Sequence, residues 1–229
     1  MKTIYELSVI KWDIAFLKTA NVKGIFLSIF LFILLTFNGV SQNLPQEMWH
    51  PAYLVLESED TLRGNIQYDF ESNLVQYSKG KKIQTFTSQN LLFFSFDCQF
   101  FERVREVYSL PFQLKGKMKV PVFFEILDEG AITLMAREYV VIENSNRFAN
   151  PMYGGGGFRS REILTYDYFL LTADGTIHRF SERRRDLLPF FGSHQEIMSD
   201  YIKENRLKPD RQKDLVSIIK YYNSLVSSK

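Results

Sequence analysis

Three segments of this chain repeat one plan, and that plan leaves few folds open. Residues 53–57 (YLVLE) turn at Ser58-Glu59-Asp60 into residues 61–66 (TLRGNI). Residues 123–127 (FFEIL) turn at Asp128-Glu129-Gly130 into residues 131–134 (AITL), and residues 168–172 (YFLLT) turn at Ala173-Asp174-Gly175 into residues 176–180 (TIHRF). Each is an aromatic-led apolar strand, a tight acidic or glycine turn, and a second strand. Asp and Gly suit such turns because the backbone must enter positive φ and a short polar side chain can bond its own backbone. Further strands are expected at residues 74–78 and 83–87 around Lys79-Gly80-Lys81, at residues 91–96, and at residues 102–108, which alternate imperfectly. The total is about ten short strands, enough for a sandwich-like pair of sheets or one strongly bent sheet. Pro111, Pro121 and Pro151 belong at strand ends or edges, since proline donates nothing to a ladder.

After Phe180 the apolar period changes. Ser193-His194-Gln195-Glu196 reads as a capping box, followed by Ile197, Met198, Tyr201 and Ile202 at the spacing of one helical face. Asp210 reads as the cap of a second helix carrying Leu215, Ile218, Ile219, Tyr222 and Leu225. A shorter helix is expected from Ser181 to about Gly192, with Pro189 as a breaker. One-sided stripes must pack on something, most economically the preceding sheet. The expected fold class is therefore α+β: predominantly antiparallel β over residues 42–180, then two or three C-terminal helices over residues 181–229.

The first 41 residues read as an address. Residues 24–40 (GIFLSIFLFILLTFNGV) carry no charge and follow Lys23; the strongly apolar part, residues 25–37, suits the core of a secretory signal better than a span of about 20 residues. Gly39 and Ser41 supply the small-x-small pattern of a cleavage site, so Gln42 is the expected mature N-terminus. The 23 residues before the apolar run include Glu6 and Asp13, which suits a signal poorly; a start at Val22 would leave a compact basic leader and place residues 1–21 upstream of the protein. The alternative is an uncleaved inner-membrane signal anchor with Lys18 and Lys23 on the cytoplasmic side. The expected location is the periplasm or the outer membrane, with membrane contact only through the N-terminal segment if it stays uncleaved.

Residues 1–41 hold four Lys and two acids; the remainder balances at 24 basic and 24 acidic residues. A neutral chain argues against nucleic acid, which demands clustered positive charge. Cys98 is the single cysteine, set among Phe96, Phe100 and Phe101, and reads as a small buried hydrophobe. His50, His178 and His194 are far apart and form no metal-ligand spacing, and no cofactor motif is recognisable. Trp49 and His50, beside Pro51, read as a plug over the core. Arg183-Arg184-Arg185 is flanked by Glu182 and Asp186, as at a solvated helix start. The acidic pairs Glu59-Asp60 and Asp128-Glu129 fall in turns, and Glu125 is assigned to an outward strand position. There is no GxSxG elbow, so no catalytic residue is named.

Residues 144–160 (NSNRFANPMYGGGGFRS) are the outlier, expected to form a long mobile loop. The four glycines lack the Lys-Ser/Thr and the spacing of a phosphate loop. Phe148, Met152, Tyr153, Phe158 and Arg159 instead make this loop the candidate partner contact, since exposed aromatics supply contact area at low entropic cost.

The signal ending near Ser41-Gln42, the YLVL…DTLRGNI pair, the FFEIL hairpin, the loop with Gly, Asn and Met, the YFLL strand and the terminal Tyr221-Tyr222-Asn223 together resemble uncharacterised exported, β-rich proteins of Bacteroidota over most of residues 25–225. The resemblance implies export and a β-rich module with a helical tail, and no chemistry. The expected function is that of a non-enzymatic envelope protein that binds an envelope protein partner. The alternative is an envelope hydrolase acting on glycan or peptide, which would show two buried carboxylates about 5–9 Å apart across a cleft.

Overall fold

The computed structural model describes residues 45–114, 118–145 and 159–227. Residues 1–44, which contain the expected signal segment, lie outside them. Ten strands follow in chain order: β1 (His50–Leu56), β2 (Thr61–Asp69), β3 (Leu74–Lys79), β4 (Lys82–Thr87), β5 (Leu91–Cys98), β6 (Arg103–Phe112), β7 (Val120–Asp128), β8 (Ile132–Ser145), β9 (Arg159–Thr172) and β10 (Ile177–Arg179). They form one antiparallel sheet in the order β10-β9-β8-β7-β6-β5-β1-β2-β3-β4. Two meanders, β1 to β4 and β5 to β10, are thus joined side by side where β1 pairs with β5.

That order forces the sheet to bend. In a flat sheet β4 and β5 would lie four strand spacings apart, about 19 Å. Only Ser88, Gln89 and Asn90 connect Thr87 to Leu91, and four Cα steps span at most about 15 Å. The first meander therefore folds over the inner face of the second. Ser88 Oγ donates to the Pro121 carbonyl of β7 at 2.7 Å, and Ser109 Oγ of β6 donates to the Ser88 carbonyl at 2.5 Å. The space between fills with Leu54, Ile66, Val75 and an aromatic knot in which Tyr68 meets Phe94 at 5.0 Å and Phe123 at 5.9 Å. Cys98 is buried in this cluster, as its neighbours led one to expect. The edges β4 and β10 do not meet, so the sheet is open. The two-sheet alternative is not what forms.

The hairpins form where the turn chemistry places them, with different solutions at each. Gly80 and Gly175 take positive φ, but in the first hairpin Glu59 does so. Gly130 does not; it is needed for space, because a Cβ there would sit 2.4 Å from the Asn223 side chain. In the turn after β9, Asp174 accepts hydrogen bonds from the hydroxyls of Thr172 and Thr176 and from the Thr176 amide. These bonds hold its carboxyl at about 2, against an ordinary 3.8. A depressed carboxyl pKa means stability that is present above the ordinary value and lost as pH falls through the folded one. The stability gap between the natural protein and Asp174→Asn should therefore be constant above pH 4 and close as pH falls toward about 2. A carboxyl carbon NMR titration with its midpoint near the ordinary value would contradict this.

The C-terminal segment packs on the same inner face, beside the aromatic knot. A one-turn helix (Arg184–Leu187) runs into a 3-10 segment (Leu188–His194), and two longer helices follow, α1 (Gln195–Glu204) and α2 (Gln212–Ser227). Met198 and Ile202 of α1 and Leu215, Ile218 and Ile219 of α2 are fully buried against Leu134 and Leu170 of the sheet. Ile197, expected on that stripe, is half exposed. The capping box does not form: the 3-10 segment enters α1 directly, the Gln195 amide already donates to the Gly192 carbonyl, and Ser193 Oγ turns to His194 instead. Nor does Asp210 sit at the start of α2. The helix begins two residues later, and the carboxylate in its first turn is Asp214, which accepts from the Lys208 amide at 3.0 Å. The early helix expected from Ser181 is shortened because the chain tightens to 3-10 geometry around Pro189.

Candidate functional site

Two features of the sheet stand apart from ordinary core packing: a projecting ribbon and a buried ionic cluster at its base. β8 and β9 have 14 residues each. β7 pairs with β8 only at Leu134 to Ala136, and β10 pairs with β9 only at Phe169 to Leu171. Beyond those points β8 and β9 pair with each other alone for nine residue pairs, from Arg137↔Asp167 to Ser145↔Arg159. Such a two-stranded ribbon has a length of roughly 30 Å.

Its base is tied down. The Val140 amide donates to Glu71 at 3.1 Å, and Val140 and Leu164 pack against the aromatic knot. Toward the tip the ties end. Val141 is 43% exposed and Ile142, on the opposite face, 61% exposed. Adjacent β-branched residues bare on both faces are what a free-standing ribbon shows, and what a folded core avoids.

Of the residues named from sequence, Phe148, Met152, Tyr153 and Phe158 lie outside the described residues. Arg159 does not belong to the loop: it opens β9, paired with Ser145. Asn144 and Ser160 are likewise strand, so the connection between the two strands is confined to residues 146–158. Sequence reasoning missed the exposed stem residues Val141 and Ile142, which read as ordinary strand.

At the base of the ribbon, Arg105 of β6 is 2% exposed and sits between two carboxylates. Its Nη2 donates to Glu125 Oε2 at 2.5 Å and lies 2.7 Å from Glu138 Oε2, a charge contact poorly aligned for a hydrogen bond. Arg103 reaches the other Glu125 oxygen at 2.5 Å. The guanidinium of Arg105 also lies over the rings of Phe96 and Phe101, each 5.3 Å away. Burial lowers the affinity of Arg105 for its proton, but the two carboxylates outweigh it and hold its pKa above the usual arginine range. Burial raises the Glu138 carboxyl against the pull of Arg105, and it raises the phenols of Tyr68 and Tyr166, which face Glu138.

The assignment of Glu125 to an outward position is therefore wrong. Strand β7 is covered on both faces by its neighbours' cores, so alternation along it carries no inside-outside signal. The Glu125 and Glu138 oxygens that share Arg105 lie no farther apart than those two contacts laid end to end, about 5 Å, so the pair is at most as widely spaced as the carboxylates of a retaining glycosidase. What differs is the space between them, which holds a guanidinium rather than a cleft.

Beside Glu138 an open depression of about 390 Å³ is walled by Glu71, Arg137, Tyr139, Asp167 and Arg179. Two of its charges are matched to each other: Arg179 clasps both Asp167 oxygens at 2.7 and 2.8 Å. The three histidines are each spent on ring contacts, His50 with Phe96, His178 with Phe190 and His194 with Tyr222. The plug is thus His50 alone, 1% exposed, while Trp49 is 39% exposed. Among the described residues no group of His, Cys, Asp and Glu could hold a metal ion, and no helix is long and apolar enough to cross a membrane.

Comparison of the chain with protein-family models, with curated proteins and with solved structures finds no match.

Proposed function

We propose that the chain is an exported, non-enzymatic envelope protein that binds another envelope protein through the tip of the β8–β9 ribbon. The observation that carries the reading is the ribbon itself: nine residue pairs beyond the flanking strands, with Val141 and Ile142 bare at and just past its midpoint. The connecting segment, residues 146–158, adds Phe148, Met152, Tyr153 and Phe158. A two-stranded stem with aliphatic groups bare on both faces supplies contact area with little ordering cost. The apolar leader and its small-x-small site support export to the periplasm or outer membrane, as does the resemblance to exported Bacteroidota proteins. N-terminal sequencing of the native protein should begin at Gln42.

Removing residues 146–158 and closing Ser145 to Arg159 with a short glycine turn leaves every strand pair in place. The shortened protein should keep its circular dichroism spectrum and melting temperature while losing the partner in a pull-down from native envelopes. Undiminished co-purification would refute the ribbon as the contact. The hydrolase reading has one observation in its favour, two buried carboxylates, Glu125 and Glu138, that approach each other closely enough to share Arg105. It requires a route for substrate to a pair that Arg105 fills, and the binding reading does not.

A further inference from the structure

At the opposite end of the cluster, Arg103 forms part of the wall of a separate cavity of about 440 Å³ between α2 and the ends of β6 and β7. Lys213, Ser217 and Lys220 line the helix side, at positions i, i+4 and i+7 of one helical stripe, with Val216 and Leu127 as the apolar floor. Three cations thus face one space, and no carboxylate lines it. Neither lysine forms an ion pair among the described residues, and no acid stands three or four residues away within the helix to neutralise either. Arg103 is positioned: Glu125 holds its Nη2, and it lies 5.9 Å from the centre of the Phe101 ring. Gln212, at the helix start, adds a buried Nε2 donor that has no hydrogen-bond partner. Donors and positive charge gather here without a carboxylate.

We propose that this cavity binds a phosphomonoester group. A planar carboxylate with one charge is recognised best by the open fork of a guanidinium. Here one arm of the Arg103 fork is taken by Glu125, and Ser217 Oγ already donates to the Lys213 carbonyl. What remains are two ammonium groups, point charges with three donors each, and the free arm of Arg103, arriving from different directions. That set matches a tetrahedral anion carrying nearly two charges. Leu127 and Val216 would pack against the short carbon chain that carries the phosphate. The site is independent of the ribbon and of export.

The test uses the full-length protein with three probes at matched ionic strength: glycerol 3-phosphate, succinate, and phosphatidylcholine vesicles doped with phosphatidic acid. Glycerol 3-phosphate should bind saturably, with amide shifts at Ser217 and Lys220, and more tightly than succinate. Lys213→Ala combined with Lys220→Ala should weaken it about tenfold or more, since the loss of even one charge-assisted bond is worth that much. Both lysines are exposed, so the double variant should melt with the natural protein. Vesicle binding that the same variant abolishes would assign the phosphate to a lipid headgroup, and its absence beside saturable binding of the soluble probe would assign it to a free phosphomonoester. No saturable binding of either phosphate probe, equal affinity for succinate, or equal affinity in the double variant would overturn the proposal.

Discussion

Arg105→Met should cost about 3–5 kcal/mol of folding stability, the range for leaving a buried charge without its partner. Glu125 and Glu138 are 3% and 6% exposed, and both lean on the one guanidinium. Arg103 reaches only Glu125, from a position 38% exposed, so Glu138 would face Tyr68 and Tyr166 with no cation in contact. Protonation of Glu138, whose carboxyl burial already pushes upward, would recover part of the loss. The variant should therefore be least stable relative to the natural protein at high pH and should regain stability as pH falls into the raised carboxyl range. Urea unfolding of Arg105→Met at two pH values checks both statements. Arg105→Met with Glu125→Leu and Glu138→Leu should recover most of the loss, because removing a whole buried ionic set is often neutral where removing one member is not. A single variant within 1 kcal/mol of the natural protein would mean that water reaches the cluster.

This cluster also marks where sequence reading stops. Hairpins are legible because each depends on a dozen adjacent residues: Ser58-Glu59-Asp60, Lys79-Gly80-Lys81 and Ala173-Asp174-Gly175 carry their own turn chemistry. The side-by-side pairing of β1 with β5, and with it the bend, depends on residues some 40 positions apart and leaves no local trace. Glu125 is a charge in an apolar strand, but its meaning lies in Arg105, 20 residues earlier, and Glu138, 13 later. The partners gave no such signal: Arg105 is followed by Glu106 and Glu138 is preceded by Arg137, so each reads as one of a locally balanced pair of charges on a solvated strand. The ribbon was half visible. Asn and Gly at residues 144–160 announce a loop, yet they conceal that Asn144, Ser145, Arg159 and Ser160 are still paired, because backbone pairing with a facing strand overrides weak β-propensity. The caps failed for a related reason: Ser193 and Asp210 have suitable side chains, but the chain path into each helix left their expected acceptor roles unused.

Asn223→Ala should cost about 2–4 kcal/mol, since it strips partners from buried backbone groups. β8 begins at Ile132, two residues beyond the end of its ladder with β7 at Leu134, where a bulge lies between Ile126 and Asp128. Both backbone groups of Ile132 would be left open there. Asn223, from the inner side of α2 and 7% exposed, takes the place of the missing strand: its Oδ1 accepts from the Ile132 amide at 3.0 Å and its Nδ2 donates to the Ile132 carbonyl at 2.9 Å. The same Nδ2 donates to Asp128 Oδ2 at 2.9 Å, so one side chain ties the last helix to both sides of the β7–β8 turn. Gly130 lets it approach, having no Cβ to strike it. Asn223→Asp separates this role from mere bulk. It keeps the size and the acceptor but loses both donations, and it sets a second carboxylate against Asp128. Its loss should therefore match or exceed that of alanine at neutral pH and shrink as the pair takes up a proton in acid. If both variants unfold at the urea midpoint of the natural protein, α2 is held by its apolar stripe alone, and Leu215, Ile218 and Ile219 suffice to place it.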